Sequence, residues 1–150
     1  MRIVSDIELV PASVHLSATF QEAAEELVSH PVTTIAVLDE DSRVAGLFGD
    51  SDLISGLFPR YLAELRHTAF ADDDAGLLAE RVRAVASDAV ELHMQPPIIL
   101  DDAASATHAA ERFLHCGHGA LPVTRGGRFV GMLGRAELCR AVLIGFADRG

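Results

Sequence analysis

Apolar and polar positions follow two different periods in the first third of the chain and divide it into five predicted elements. Apolar residues recur every three or four positions from Phe20 to Val28, which predicts a helix with one buried face, and Thr19 and Glu22 can form a capping box at its start. Shorter apolar stretches before and after it have the length of strands. The predicted elements are a strand at 13–16, a helix from 20 to about 30, strands at 34–38 and 43–48 around the acidic turn 39–42, and a helix that begins at Asp50.

The same order of elements recurs later in the chain as an internal repeat. An offset of 86 residues places Pro11 on Pro97, and an offset of 85 after one deletion in the turn places Gly46 on Gly131. Ten of the 43 positions from 11 to 53 are identical in the two copies, so the repeat organises the whole chain. The second copy is predicted to contain a strand at 98–100, a helix from 105 to about 115, strands at 120–123 and 128–133 around the turn 125–127, and a helix from 135 to about 147.

These elements predict an α/β (α+β) fold made of two βαββα repeats. A strand-helix-strand crossover followed by a hairpin gives a mixed three-stranded sheet with both helices on one face. Neither repeat covers its own sheet, so we expect the two to pack together as a pseudo-twofold pair. The predicted units are repeat 1 at 1–57, a helical insert at 58–93 with helices at 61–65 and 77–85 separated by the acidic stretch 71–74, and repeat 2 at 94–150.

Composition and charge exclude several classes of protein. The net charge is −10 and all twelve basic residues are scattered arginines, which argues against a nucleic-acid partner and is consistent with a GC-rich bacterial genome. Apolar runs such as 141–147 are too short to cross a membrane, and the start of the sequence shows no signal peptide. Only Cys116 and Cys139 are present, which favours a reducing compartment. We expect a cytoplasmic protein with no membrane partner.

Candidate catalytic and metal-binding groups do not converge in the sequence. His115, Cys116 and His118 suit zinc chemically, but they straddle a predicted helix end and no second cluster supplies further ligands. Cys116 and His118 are too close in sequence for a nucleophile and its base, and no orienting acid is near. The turn 125–128 lacks the ending of a phosphate-binding loop. We therefore expect no enzymatic activity and no required cofactor or metal.

A short set of motifs identifies a family. The strand at 121–123 with Leu121, Pro122 and Val123, the glycine turn, the strand Arg128 to Leu133, and the helix start at 135–138 resemble the cystathionine-β-synthase (CBS) domain, and residues 35–37 and 46–53 carry a looser version. The resemblance covers about 3–57 and 86–147. It implies a pair of domains with two clefts, which often bind adenosine-containing ligands such as AMP, ADP, ATP or S-adenosylmethionine, and which commonly form homodimers.

The resemblance also implies particular ligand-binding residues. The acidic residue after the last strand would accept the ribose hydroxyls, which corresponds to Asp52 in one repeat and Glu137 in the other. Helix starts at Asp50 and Arg135 would face phosphates. The adenine would contact apolar residues of the strands, which are Val14 and Ile35 for one cleft and Ile98, Ala120, Leu121 and Pro122 for the other.

The sequence departs from the family pattern at two positions. Gly49 and Gly134 stand where a Thr or Ser is expected, although glycine still allows backbone amides to approach a ligand. Arg135 favours an anionic nucleotide beside Glu137, whereas Asp50 favours an uncharged or cationic adenosyl group beside Asp52. The two acids also suit a purely structural role, as first-turn residues that complement a helix dipole.

Two functions remain from the sequence. The first is a non-enzymatic regulatory module, expected to be a homodimer, that senses an adenosyl ligand between its repeats. The alternative is a degenerate pair that serves as a dimerisation or partner-docking scaffold without nucleotide.

Overall fold

Two three-stranded mixed sheets, one from each repeat, form the framework of the protein. The computed structural model describes residues 3–58 and 74–147. In the first sheet, β1 is parallel to β2 and β2 is antiparallel to β3; β4, β5 and β6 repeat this arrangement in the second sheet. The predicted sheet topology is thus confirmed. The elements are β1 (Ser13–His15), α1 (Phe20–Val28), β2 (Thr34–Leu38), β3 (Val44–Gly49), α2 (Asp50–Leu57), α3 (Asp74–Ala86), β4 (Leu100–Asp101), α4 (Ala106–Leu114), β5 (Ala120–Arg125), β6 (Arg128–Gly134) and α5 (Arg135–Ala147), with single 3-10 turns at Val4–Asp6 and Val90–Leu92.

The core lies between the two sheets, which pack through β2 and β5. Ile35, Val37, Leu121 and Val123 on these strands are fully buried, as expected for continuous apolar strands covered on both faces. Beside them, the rings of Phe20 and fully buried Phe48 meet edge to face with centroids 5.6 Å apart. The expectation that the two repeats cover each other is confirmed.

Helix α1 begins at the predicted capping box. The Thr19 hydroxyl accepts the backbone N–H of Glu22 at 3.2 Å, and the Glu22 carboxylate accepts the backbone N–H of Thr19 at 3.1 Å. In repeat 2 the Ser105 hydroxyl accepts the N–H of His108, and no acid returns the bond. Helix α1 therefore starts at the predicted residue, and α4 starts at Ala106, one residue after the predicted start at Ser105, which is its N-cap.

A short segment ahead of each repeat binds the other repeat. We call residues 3–11 and 88–97 the lead-in segments. In the first, Val10 exchanges two backbone hydrogen bonds with Met132 of β6, at 2.9 and 2.7 Å; in the second, Gln95 exchanges two with Leu47 of β3, also at 2.9 and 2.7 Å. Residues 88–93, predicted from the sequence to belong to the insert, thus have the same place relative to repeat 1 that 3–8 have relative to repeat 2.

Two equivalent glycines make room for the lead-in segments. A Cβ on Gly46 would lie 2.5 Å from Met94 Sδ and 2.9 Å from the carbonyl oxygen of Gln95, and a Cβ on Gly131 would lie 2.6 Å from Leu9 Cβ. No other residue type leaves space for the backbones to approach this closely.

The insert contributes helix α3, which confirms the helix predicted at 77–85. It packs on α1 and α2; Val85 is 1% exposed, and Arg81 Nε donates to the carbonyl oxygen of Gly56 at 2.7 Å. The helix predicted at 61–65 and most of the break at 71–74 lie outside the described residues. Among the helices that are described, none combines the length and apolar character needed to cross a bilayer.

Candidate functional site

An open cleft of about 550 Å³ lies at the start of α5, and we call it the α5 cleft. It is assembled from three parts of the chain: the first lead-in segment, the loop before β2 in repeat 1, and the start of α5 in repeat 2. Both repeats therefore contribute walls. The residues that line it are Glu8, Val10, Pro31, Val32, Thr33, Gly119, Gly134, Arg135, Ala136, Glu137 and Arg140.

The start of α5 presents positive charge and open space to this cleft. Arg135 is exposed at the first helical position, and its backbone N–H donates to the carbonyl oxygen of Gly119 at 2.9 Å. A Cβ on Gly134 would meet only the side chain of Glu137, at 3.6 Å or more. A helix start with an arginine and free space beside it is suited to an anion.

Glu137 lies one turn into the same helix with its carboxylate accessible. Its side chain is 42% exposed, and Oε1 accepts a hydrogen bond from Arg140 Nη1, which is itself largely exposed. Within 3–58 and 74–147, Oε2 makes no hydrogen bond. This carboxylate therefore has capacity to accept donors from a bound molecule.

The equivalent carboxylate in repeat 1 is in a different state. Asp52 is 6% exposed, its Oδ2 accepts the backbone N–H of Gly49 at 2.8 Å, and its Oδ1 accepts Gln95 Nε2 at 2.8 Å. Gly49 is itself buried, and the N–H of Asp50 donates to the carbonyl oxygen of Thr33 at 2.9 Å. Both oxygens of Asp52 already have partners inside the protein.

The residues predicted to contact adenine do not line the α5 cleft. The side chains of Ile35, Ala120 and Leu121 are 0% exposed in the core and Pro122 is buried, while Val14 and Ile98 are half-buried. The apolar wall of the cleft is formed by Val10, Pro31, Val32 and Ala136 instead.

Sequence reasoning missed these wall residues, and it missed Glu8 and Arg140 as well. Arg140 was detectable, since it lies three residues after Glu137 on one helix. Glu8 and Val10 were not, because the crossing of the lead-in segment brings them to the cleft.

The histidine and cysteine residues near the end of α4 do not form a metal site in the structure. Cys116 is half-buried, with its sulfur 4.0 Å from the carbonyl oxygen of Phe113 and 3.9 Å from that of His118. In the described part of the chain, no three His, Cys, Asp or Glu side chains are grouped closely enough to hold an ion.

The duplicated βαββα fold corresponds to a family model. The model for the CBS domain matches residues 4–58 and 87–144, which is one match for each repeat. The chain belongs to the CBS domain family. It is a CBS pair, a type of module that is generally regulatory rather than catalytic.

Solved structures of other CBS pairs share the whole fold. CBSX2 from Arabidopsis thaliana is 25% identical, with a TM-score of 0.72 over 99% of this chain and 97% of that one. CBSX2 in complex with AMP is also 25% identical, with a TM-score of 0.67 over 95% and 97%. A CBS domain protein from Pyrobaculum aerophilum complexed with AMP is 20% identical, with a TM-score of 0.68 over 98% and 99%. A comparison with curated protein sequences gives no significant match.

Proposed function

We propose that this CBS pair is a non-enzymatic regulatory module that binds an adenosine-containing ligand in the α5 cleft. The observation that carries the proposal is the meeting of an accessible carboxylate, Glu137, with Arg135 at a helix start in one cleft of about 550 Å³. That volume is in the range of small-molecule sites. The AMP complex of CBSX2, which has the same fold at 25% identity, supports an adenosyl ligand such as AMP, ADP, ATP or S-adenosylmethionine.

Each part of such a ligand has a complementary group in the cleft. Glu137 accepts the two ribose hydroxyls, phosphate oxygens face the α5 start and Arg135, and the base packs on Val10 and Val32. Arg140 now binds Glu137 and can turn to a phosphate when the ribose takes its place. The two arginines favour an anionic nucleotide over S-adenosylmethionine, which is cationic.

Ligand binding at this place acts on the contact between the repeats. The walls come from the first lead-in segment and the β2 loop of repeat 1 and from α5 of repeat 2, so a bound nucleotide stabilises the arrangement in which these parts are close. In our proposal the bacterial, cytoplasmic protein transmits this change to its partner through a homodimer.

Thermal-shift measurements with AMP, ADP, ATP, S-adenosylmethionine and adenosine test the proposal. A ligand at 100 times its Kd adds about 2.7 kcal/mol to the free energy of unfolding and raises Tm. Glu137→Ala should remove the shift for every ligand, whereas Arg135→Ala should weaken AMP and leave adenosine unchanged. Glu111→Ala and Arg112→Ala, at exposed sites on α4 away from the cleft, serve as matched controls. No shift with any of the five compounds would contradict the proposal.

A second candidate function, a dimerisation scaffold with empty clefts, is supported by an apolar face. Ile54 on α2 is 57% exposed and Phe58, which directly follows α2, is 52% exposed; Leu143, the equivalent of Phe58 in repeat 2, lies on α5 and is 70% exposed. Because both repeats expose the same face, a second copy of the chain can cover both at once through a twofold contact.

The scaffold proposal is tested by the mass of the wild-type protein and of Leu143→Asp, measured by light scattering after gel filtration. We expect the wild type to be dimeric and Leu143→Asp monomeric. Leu114→Asp, at a position on α4 that is 82% exposed, is the control and should stay dimeric. A monomeric wild type would refute the scaffold.

A further inference from the structure

We propose that repeat 1 is closed to ligand by its own chain, because the side-chain amide of Gln95 occupies the carboxylate of Asp52 that a ribose would otherwise bind. The CBS pair then has one working site, at Glu137, and Gln95 sets that number. The inference rests on the proposed function, in which these carboxylates accept ribose hydroxyls.

Gln95 and Val10 occupy equivalent places in the two halves of the molecule. Gln95 pairs with Leu47 on β3, and Val10 pairs with Met132 on β6, in both cases through two antiparallel backbone hydrogen bonds. Gln95 follows Val10 by 85 residues and Met132 follows Leu47 by 85 residues, which is the offset between the two repeats. The two lead-in segments therefore pass the two sites in the same way, but one carries an amide there and the other an isopropyl group.

The two carboxylates respond to this difference. The amide nitrogen of Gln95 donates to Asp52 Oδ1 at 2.8 Å, while Oδ2 is committed to the N–H of Gly49, and Asp52 is 6% exposed. At the equivalent place Val10 has no donor to offer. Among the described residues Glu137 bonds only to Arg140, which is largely exposed, and its own side chain stays 42% exposed. The side chains at the two equivalent positions, Gln95 and Val10, thus account for the closed state of one site and the open state of the other.

A ligand would have to break this hydrogen bond before it could bind Asp52. The bond joins a neutral donor to a charged acceptor, and hydrogen bonds of this class are strong enough to weaken a competing interaction by about 10-fold to 100-fold. Because donor and acceptor belong to one chain, the bond does not depend on concentration, whereas ligand binding does. Asp50 adds to the effect, since it places negative charge at the start of α2 where repeat 2 has Arg135.

Isothermal titration with adenosine tests the inference, because adenosine has the ribose and base but no phosphate for Asp50 to repel. The variants are Gln95→Val, which copies Val10; Asp52→Asn, alone and combined with Gln95→Val; and Gln21→Val as control. Gln21 is the only other glutamine, and its amide likewise donates to a carboxylate, Glu25, on an exposed helix face. Asp52→Asn keeps an oxygen that can cap α2.

We expect Gln95→Val to gain one adenosine site per chain, at least 10-fold tighter than any Asp52-dependent binding in the wild type, and to lose it again when Asp52→Asn is added. Gln21→Val should behave as the wild type. The inference is overturned if the wild type already binds adenosine at an Asp52-dependent site, or if Gln95→Val gains none. Glu137-dependent binding in the wild type reports separately on the proposed function, so either idea can fail alone.

A second measurement does not depend on variants that fold. The sequence contains no asparagine and only two glutamines, so Gln21 and Gln95 give the only side-chain amide (NH2) signals in a ¹⁵N-correlated spectrum, alongside the backbone signals. In the wild type, adenosine should leave the Gln95 signal in place while it moves backbone signals of α5. Movement of the Gln95 amide signal at the same adenosine concentration would refute the closed site.

Discussion

Replacing Gly46 by alanine should destabilise the protein by forcing apart β3 and the second lead-in segment. The added Cβ would lie 2.5 Å from Met94 Sδ and 2.9 Å from the carbonyl oxygen of Gln95. Met94 can turn its side chain away. The carbonyl oxygen cannot move freely, because the N–H of Leu47 holds it at 2.9 Å. The backbones must therefore separate by several tenths of an ångström.

The expected cost follows from this geometry. Overpacking of a close contact costs about 1–3 kcal/mol, and alanine returns up to about 1 kcal/mol of that because it restricts the unfolded chain more than glycine does. The net loss is about 1–2 kcal/mol, which lowers Tm by about 2–8 °C for a chain of this size. Urea unfolding followed by circular dichroism measures the free energy, and a thermal melt measures Tm.

The control for this experiment is Gly117→Ala. No described atom lies within 4 Å of a Cβ at Gly117, which is in the exposed loop before β5, and its backbone is not left-handed. Its free energy of unfolding should stay within about 0.5 kcal/mol of the wild type. If Gly46→Ala is as stable as Gly117→Ala, the close crossing of β3 and the lead-in segment is not a constraint and the reasoning is wrong.

Three other substitutions test packing, capping and surface charge. Phe48→Ala, at a 0% exposed side chain, should cost about 3–5 kcal/mol in urea unfolding, while Phe58→Ala, at a 52% exposed one, should cost less than about 1 kcal/mol; similar losses would contradict the assigned core. Thr19→Ala should cost about 1 kcal/mol in thermal melts, and Ser105→Ala less because its cap is one-sided; the reverse order would refute the capping box as the stronger cap. Arg125→Ala breaks an ion pair whose arginine is 68% exposed, so its cost should be below about 1 kcal/mol and should vanish in 1 M salt; a cost that persists there would show a role other than charge.

Local structure could be predicted from the sequence because its signals are local. Strand β2 has the predicted bounds, since a continuous apolar run between a proline and an acidic turn leaves little choice. Helix α1 starts at the predicted residue because the capping box of Thr19 and Glu22 requires Thr19 to be the N-cap, which fixes Phe20 as the first helical residue. Strand β4 is two residues long and begins at Leu100 rather than at 98, because strand pairing with β5, rather than apolar character, fixes its start.

The crossing of the lead-in segments could not be predicted in the same way. Val10 and Gln95 are held by backbone hydrogen bonds, which leave no pattern of side chains in the sequence. The segment 88–93 was therefore counted with the insert.

The predicted ligand-binding residues show the same difference between local and tertiary features. Gly134, Arg135 and Glu137 are contiguous in sequence, and the structure places all three in one cleft. Their role in binding remains a prediction. Among the residues assigned to adenine, Ile35, Ala120 and Leu121 are fully buried where the two sheets pack, which depends on how the repeats face each other, while Val14 and Ile98 are half-buried. The partnership of Asp52 with Gln95, 43 residues apart, was equally invisible.

The crossing of the two lead-in segments explains why it is advantageous to have both repeats in one chain. In a chain with a single βαββα unit, the last strand of the sheet could pair only with the lead-in segment of a second molecule. Two such molecules would exchange lead-in segments, so the stability of each would fall on dilution. When two units are joined in one chain, this exchange takes place within one molecule. Its effective concentration is then set by the length of the connecting chain and not by how much protein is expressed. We therefore expect that residues 1–57 and residues 94–150, each expressed alone, do not fold stably, and that the complete pair unfolds in a single thermal transition.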